Sequence, residues 1–210
     1  MGQQMKRAVR IHLKEHISFY TFTMVLVFIG IFFGAIIVNS LGIDQKNDLY
    51  LYLNRFFGQV SDEHLFNTKD LFNQSFTHYI KYLGLLWVLG LSVIGLPIIL
   101  ILLFLKGVVI GFTVGFLVSQ MGFKGLLLSL VSVLPQNLIL VPTFIVVGVA
   151  SISFSLRLIR MHLNRTEPFF PLLARYALLM LLIVALLVIP SSIEAYISPY
   201  LMKTVAGWLH

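Results

Sequence analysis

Five stretches of this chain carry no Asp, Glu, Lys or Arg: residues 16–43, 82–105, 107–123, 125–156 and 176–193. Together they cover more than half of the 210 residues. A helix needs about 20 apolar residues to cross a hydrocarbon core of roughly 30 Å. Inside that core only helices and closed barrels satisfy every backbone N–H and C=O. The runs here are continuous rather than alternating, so the barrel is excluded and the chain reads as an all-α, polytopic integral membrane protein. Composition agrees: 11% of the residues are charged, against about 25% for a soluble domain, and mean hydropathy is +0.95. Residues 1–210 form a single membrane domain with no room for a separate soluble one.

The runs divide into about five expected spans: 17–41, 82–105, 107–121, 125–150 and 174–193. Lys and Arg near a span favour the cytoplasmic side. Lys6, Arg7, Arg10 and Lys14 place residues 1–15 in the cytoplasm. The segment 44–80, with Asp44, Asp48, Asp62, Glu63 and Asp70, then lies outside. Lys106 marks the inner end of the second span, residues 157–173 form a basic inner loop with Arg157, Arg160 and Arg165, and residues 194–210 lie outside. This arrangement puts the whole net charge of +7 on the cytoplasmic face, beside anionic lipid. The basic balance therefore gives no reason to invoke a nucleic-acid partner. The first run ends Val38-Asn39-Ser40-Leu41 and is longer than the apolar region of a cleaved signal, so it reads as an anchor.

Two spans carry ambiguities. The 107–123 run is near the lower length limit, so 107–121 either spans or re-enters. The 125–156 run as one straight helix would be about 48 Å long, too long for the bilayer. Pro135 and Pro142 each remove a backbone donor and clash with the preceding turn. A helix broken or kinked at Pro135 follows.

Gly107, Gly111 and Gly115 form two overlapping G-x-x-x-G spacings, and Gly30 and Gly34 form another. Such stripes let helix backbones approach closely in lipid. The stripe can serve packing within the chain, or self-association into a homo-oligomer and partner binding. Pro135, Gln136 and Asn137 place two amides near the membrane interior. They either bond across helices or line a polar cavity. On this span assignment no Asp, Glu, Lys, Arg or His lies at that depth. That counts against ion- or proton-coupled transport, which uses such groups. Outside, Leu49, Tyr52, Leu53, Phe56, Phe57 and Val60 recur at helical spacing on one face. The first five are candidates for docking a partner or the membrane surface. A second helical piece over 68–81 feeds the second span.

Catalytic chemistry has no foothold. There is no cysteine, and neither H-E-x-x-H, G-x-S-x-G nor a P-loop pattern occurs. Asp62-Glu63-His64, with Asp70 and His78, is a poor metal set, since consecutive residues do not converge on one ion. No metal, cofactor or catalytic residue is expected.

The chain resembles the stage II sporulation protein M family of endospore-forming Firmicutes. The resemblance spans almost the full length. It is carried by His12-Leu13-Lys14-Glu15, by Gly34 through Leu41, by Tyr52-Leu53-Asn54-Arg55-Phe56-Phe57, and most specifically by Gly107 through Phe116 followed by Ser132 through Asn137. It implies a non-enzymatic membrane member of the engulfment machinery. Such a protein would act with stage II sporulation proteins D and P, which are peptidoglycan hydrolases, and localise them at the sporulation septum for septal wall thinning and membrane migration. The broader family often shows Pro-His-Gly-x-x-Glu where this chain has Pro135-Gln136-Asn137-Leu138-Ile139-Leu140. That departure favours a scaffold over the alternative, a channel or the membrane subunit of a transporter.

Overall fold

A computed structural model describes residues 17–61, 68–164 and 169–208. Helix α1 (Ile17–Ser40) leads to α2 (Ile43–Ser61), α3 (Thr68–Gly90) and α4 (Gly95–Met121). Then come α5 (Phe123–Ser132), α6 (Leu134–Asn164) and α7 (Phe169–Leu186). The chain closes with α8 (Val188–Ser192), a π-helical turn over Ile193–Ile197, and α9 (Ser198–Trp208). The described residues contain no strand.

The helical membrane class is as expected. Four stretches are long and apolar enough to cross a bilayer: Ile17–Ser40, Gly95–Met121, Leu134–Met161 and Phe169–Met202. Their outer faces show large apolar side chains, such as Phe32, Ile101, Phe170 and Leu181. In water so much exposed apolar surface would drive aggregation; in lipid it is the solvated face. Inside, Leu83 and Leu86 of α3 meet Ile99 and Leu103 of α4 and Phe144 and Val147 of α6 in one buried core.

The boundaries differ from the sequence expectation. The 82–105 run does not form one span. It turns at residues 91–94, where Leu91 and Ser92 N–H groups close short bonds to Val88 and Leu89 carbonyls. Helix α4 then starts at Gly95 and continues past Lys106 to Met121 without a break. The physical reason is Pro97. It cannot donate to a preceding turn, so it fits the first turn of a new helix and not the interior of an old one. The question of whether 107–121 spans or re-enters dissolves, because it is the second half of a 27-residue helix. Lys106 therefore lies about 17 Å along α4 from Gly95, and not in an inner loop.

Contacts fix the order of passes. Gly107 meets Val27 and Gly30, Gly111 meets Ile31, and Gly115 meets Ala35. Numbers rise together, so α1 and α4 run parallel. Tyr82 bonds the Leu102 carbonyl and Lys106 lies over Tyr79, so α3 runs antiparallel to α4. It returns the chain between the two, although Lys69, Asp70, His78 and Lys81 keep it from counting as an apolar span. Helix α6 also descends: Phe144 lies at Lys106 and Ser155 donates to the Ser92 carbonyl, 3.0 Å away. The last pass rises from Tyr176, beside Trp87, to Ser198, beside Gln136. With α3 the chain runs the length of the bundle five times, but four stretches, against the about five spans expected, are long and apolar enough to cross a bilayer.

The expected break before Pro135 is present. Helix α5 ends at Ser132, Val133 interrupts, and Pro135 sits in the first turn of α6. Pro142 is accommodated within α6. Gly122, between α4 and α5, has φ 58° and ψ −133°, a conformation open to glycine and not to residues with a Cβ. Residues 157–164 and 194–208 are helical.

Candidate functional site: an ionisable cluster inside the bundle

The residues most relevant to function lie where α3, α4, α6 and the π-helical turn converge. The turn is itself informative, since single π turns recur at functional sites. It follows a helix break. Pro190 has no N–H for the Leu186 carbonyl, so the last pass breaks at Leu187 and is re-aimed. Glu194 is the second residue of the π turn and faces inward. The Tyr79 hydroxyl donates to its Oε2 in a short bond, and Tyr79 is 5% exposed.

Lys106 shares that tyrosine. Its ammonium lies 5.7 Å from the Tyr79 ring centroid, 5.9 Å from Tyr82 and 5.1 Å from Phe144. An ammonium over aromatic faces gains electrostatically, more so where water is scarce. The Glu194 carboxylate acts on the same charge. One aromatic residue thus joins an anion at its hydroxyl to a cation at its face. The Tyr82 hydroxyl caps the Leu102 carbonyl on the neighbouring helix.

Glu194 also opens onto a cavity of about 270 Å³. Gln136 lies in the same wall, and its Oε1 accepts a hydrogen bond from Ser198 at 3.1 Å. Asn137 turns its amide N–H to the Val133 carbonyl at 2.7 Å, which answers a carbonyl at the helix break. Its Oδ1 is buried with no protein partner. Gln136 bonds across helices and lines a cavity, whereas Asn137 bonds within its own turn, which is neither of the roles expected of it. Pro135 shapes the start of α6.

The glycine stripe lies elsewhere. A Cβ on Gly30 would sit 3.2 Å from the Gly107 Cα and inside the Phe104 carbonyl. On Gly34 it would strike the Val108 carbonyl, and on Gly111 the Ile31 carbonyl. Gly115 is looser, 3.0 Å from the Ala35 Cα. All five glycines face the seam between α1 and α4 of one chain. Of the proposed docking face on α2, Tyr52 is exposed, Leu49 is half-buried, and Leu53 is turned inward to the cavity wall. The side chains of Phe56 and Phe57 lie outside the described residues, as do Asp62, Glu63 and His64. No cluster of three metal-ligating side chains occurs among the described residues.

One expectation is overturned. The span assignment placed Lys106 in an inner loop and Glu194 outside, leaving no ionisable group at depth. Both are at depth. Each flanks an uncharged run, which is the usual position of a topological marker, so hydropathy alone misfiles them. The usable signals were local: Pro97 argued for a helix start upstream of Lys106, and Pro190 for a break just before Glu194.

A family model described as Stage II sporulation protein M matches residues 23–199. The chain belongs to the stage II sporulation protein M family. The match takes in both the glycine seam and the Lys106–Tyr79–Glu194 cluster, so this family member is a sporulation-related membrane protein with an ionisable centre. The curated proteins and the solved structures give no match.

Proposed function

We propose that this protein is a non-enzymatic membrane scaffold of the engulfment machinery. It holds the peptidoglycan hydrolases, stage II sporulation proteins D and P, at the septal membrane during wall thinning and membrane migration. The observation that carries this reading is the family match over 23–199. The way the bundle uses its polar side chains supports it. Tyr79, Tyr82, Tyr176 and Ser198 each bond a residue of a different helix, and Ser155 bonds the turn between α3 and α4, which stiffens a platform. The exposed Tyr50, Leu51 and Tyr52 of α2 supply a surface at the end of the bundle bearing Leu117 and Met202. On the proposed orientation that end is external, where the hydrolases act. The test is deletion of the gene in a spore former with fluorescent hydrolase P. Dispersal of P around the membrane and arrested engulfment are expected. Septal P with completed engulfment would refute the scaffold.

Lys106 and Glu194 favour a second reading, a channel or the membrane subunit of a transporter, because ionisable groups at membrane depth mark substrate and proton paths more often than packing. Flux through liposomes holding only this protein, lost in Glu194→Gln, would establish it.

A further inference from the structure

We propose that the cavity beside Glu194 is a binding site for a small amphiphile with a primary ammonium head and an apolar stem. The size, the wall and the hydrogen-bond inventory each point that way. An apolar cavity of about 150 Å³ suffices to hold benzene, so about 270 Å³ admits a head and a short chain. The stem would lie against Phe116, Leu117, Leu128 and Met202, which line the apolar part.

The polar wall consists of Ser75, Thr113, Ser132, Gln136, Glu194 and Ser198. Among the described residues Glu194 is the one ionisable side chain lining it. Three of its hydroxyls have already spent their proton. Thr113 donates to the Val109 carbonyl at 2.9 Å, Ser132 to the Leu128 carbonyl at 2.8 Å, and Ser198 to the Gln136 amide oxygen. A hydroxyl has one proton and two lone pairs, so these three present lone pairs to the cavity. The carboxylate is acceptor-only, and a carboxylate can take up to about four bonds. Tyr79 takes one, at Oε2. Gln136 Nε2 and the Ser75 hydroxyl remain donors on this wall, but around the carboxylate stand three spent hydroxyls, and that negative charge with its open lone pairs selects a ligand that is cationic and rich in donors. An ammonium, with three N–H donors and no acceptor, is that ligand; an alcohol satisfies less of the wall and a carboxylate is repelled. Lys106 is not among the residues lining the cavity; its ammonium lies over the Tyr79 ring, whose hydroxyl takes one lone pair of Glu194 and leaves the others open. The proposal holds whether or not the protein recruits hydrolases.

The test uses the full chain in maltoside micelles and titrates octylammonium, octanol and octanoate, followed by calorimetry and native mass spectrometry. Octylammonium is expected to saturate at one per chain and to bind at least about tenfold more tightly than the other two, the advantage of a charge-assisted bond. In Glu194→Gln that preference should vanish. Ser132→Phe, which fills the cavity and leaves the Tyr79–Glu194 bond intact, should abolish saturable binding and keep the wild-type helical spectrum. It decides the matter even where Glu194→Gln fails to fold. Equal uptake of the three probes, or unchanged octylammonium binding in Ser132→Phe, would overturn the proposal. Competition then identifies the source of the amine. Displacement by lysophosphatidylethanolamine alone places an aminolipid head in the site. Displacement by neither that lipid nor lysophosphatidylglycerol keeps the site for a free amine. Equal displacement by both overturns the ammonium assignment.

Discussion

The α1–α4 seam and the α3–α6–Glu194 region hold the same bundle together by opposite means. At the seam, Gly30, Gly34, Gly107 and Gly111 bring two backbones so close that a Cβ has nowhere to go. Few polar side chains take part, and association comes from shape and dispersion. On the other side, tyrosines reach between helices to carbonyls, a serine and a carboxylate. In lipid there is no hydrophobic drive for one apolar helix to prefer another, so a bundle needs one device or the other. The seam supplies rigidity without chemistry. The polar side supplies bonding groups that can also bind a ligand or move a charge.

The comparison breaks most sharply at Gly111. Gly111→Leu should prevent accumulation of folded protein, and Gly111→Ala should still cost about 3 kcal/mol, the upper range for overpacking, because the obstacle is a backbone carbonyl. Thermal unfolding in micelles reads both. Normal melting of Gly111→Ala would mean that α1 and α4 separate easily. Next comes Tyr79→Phe, which removes the donor to a carboxylate and should cost about 2 kcal/mol. Tyr82→Phe loses a neutral bond and should cost about 1 kcal/mol. Equal costs would show that Glu194 does not draw on Tyr79. At the other end of the bundle, Tyr176 donates to the Trp87 carbonyl at 3.1 Å and lies 2.7 Å from Ser151 Oγ. Tyr176→Phe should cost about 1 kcal/mol and be partly rescued by Ser151→Ala, since the buried serine then needs no partner.

The remaining two predictions carry little energy and test register. A Cβ on Gly115 would lie 3.4 Å from the Ala35 Cβ, close to the 3.5–4.5 Å typical of disulfides. The native chain has no cysteine, so Ala35→Cys with Gly115→Cys should cross-link on oxidation and shift in a non-reducing gel. Ala35→Cys with Gly107→Cys should not; the reverse pattern would make the two helices antiparallel. Last, a Cβ on Gly84 meets nothing within 4 Å. Gly84→Ala should leave stability unchanged or raise it by under ~1 kcal/mol, through helix propensity alone. A large loss there would show that small residues matter on α3 for a reason other than close approach.

How much of this was legible in advance follows the same division. The helical membrane class and the break before Pro135 could be read from the runs and prolines, because each is a local property of the backbone in lipid. The seam glycines could be read from their spacing, although which helix they met could not. The span limits were misread where an isolated charge interrupted apolar sequence. Lys106 looked like a loop marker because hydropathy weighs a lysine by its own transfer cost. Three aromatic rings from elsewhere in the chain offset part of that cost.

Residues 1–210 by themselves determine that this protein lives in a bilayer, that its backbone is helical throughout its spans, and that small residues line one face of two of them. Those conclusions rest on the solvent and on neighbours three or four residues away. Only the tertiary structure decided that the two glycine faces meet in parallel, and that Tyr79, Lys106 and Glu194, far apart in sequence, share one site. Charges buried at depth are stable only through partners supplied by other helices, so their place becomes visible once the helices are packed.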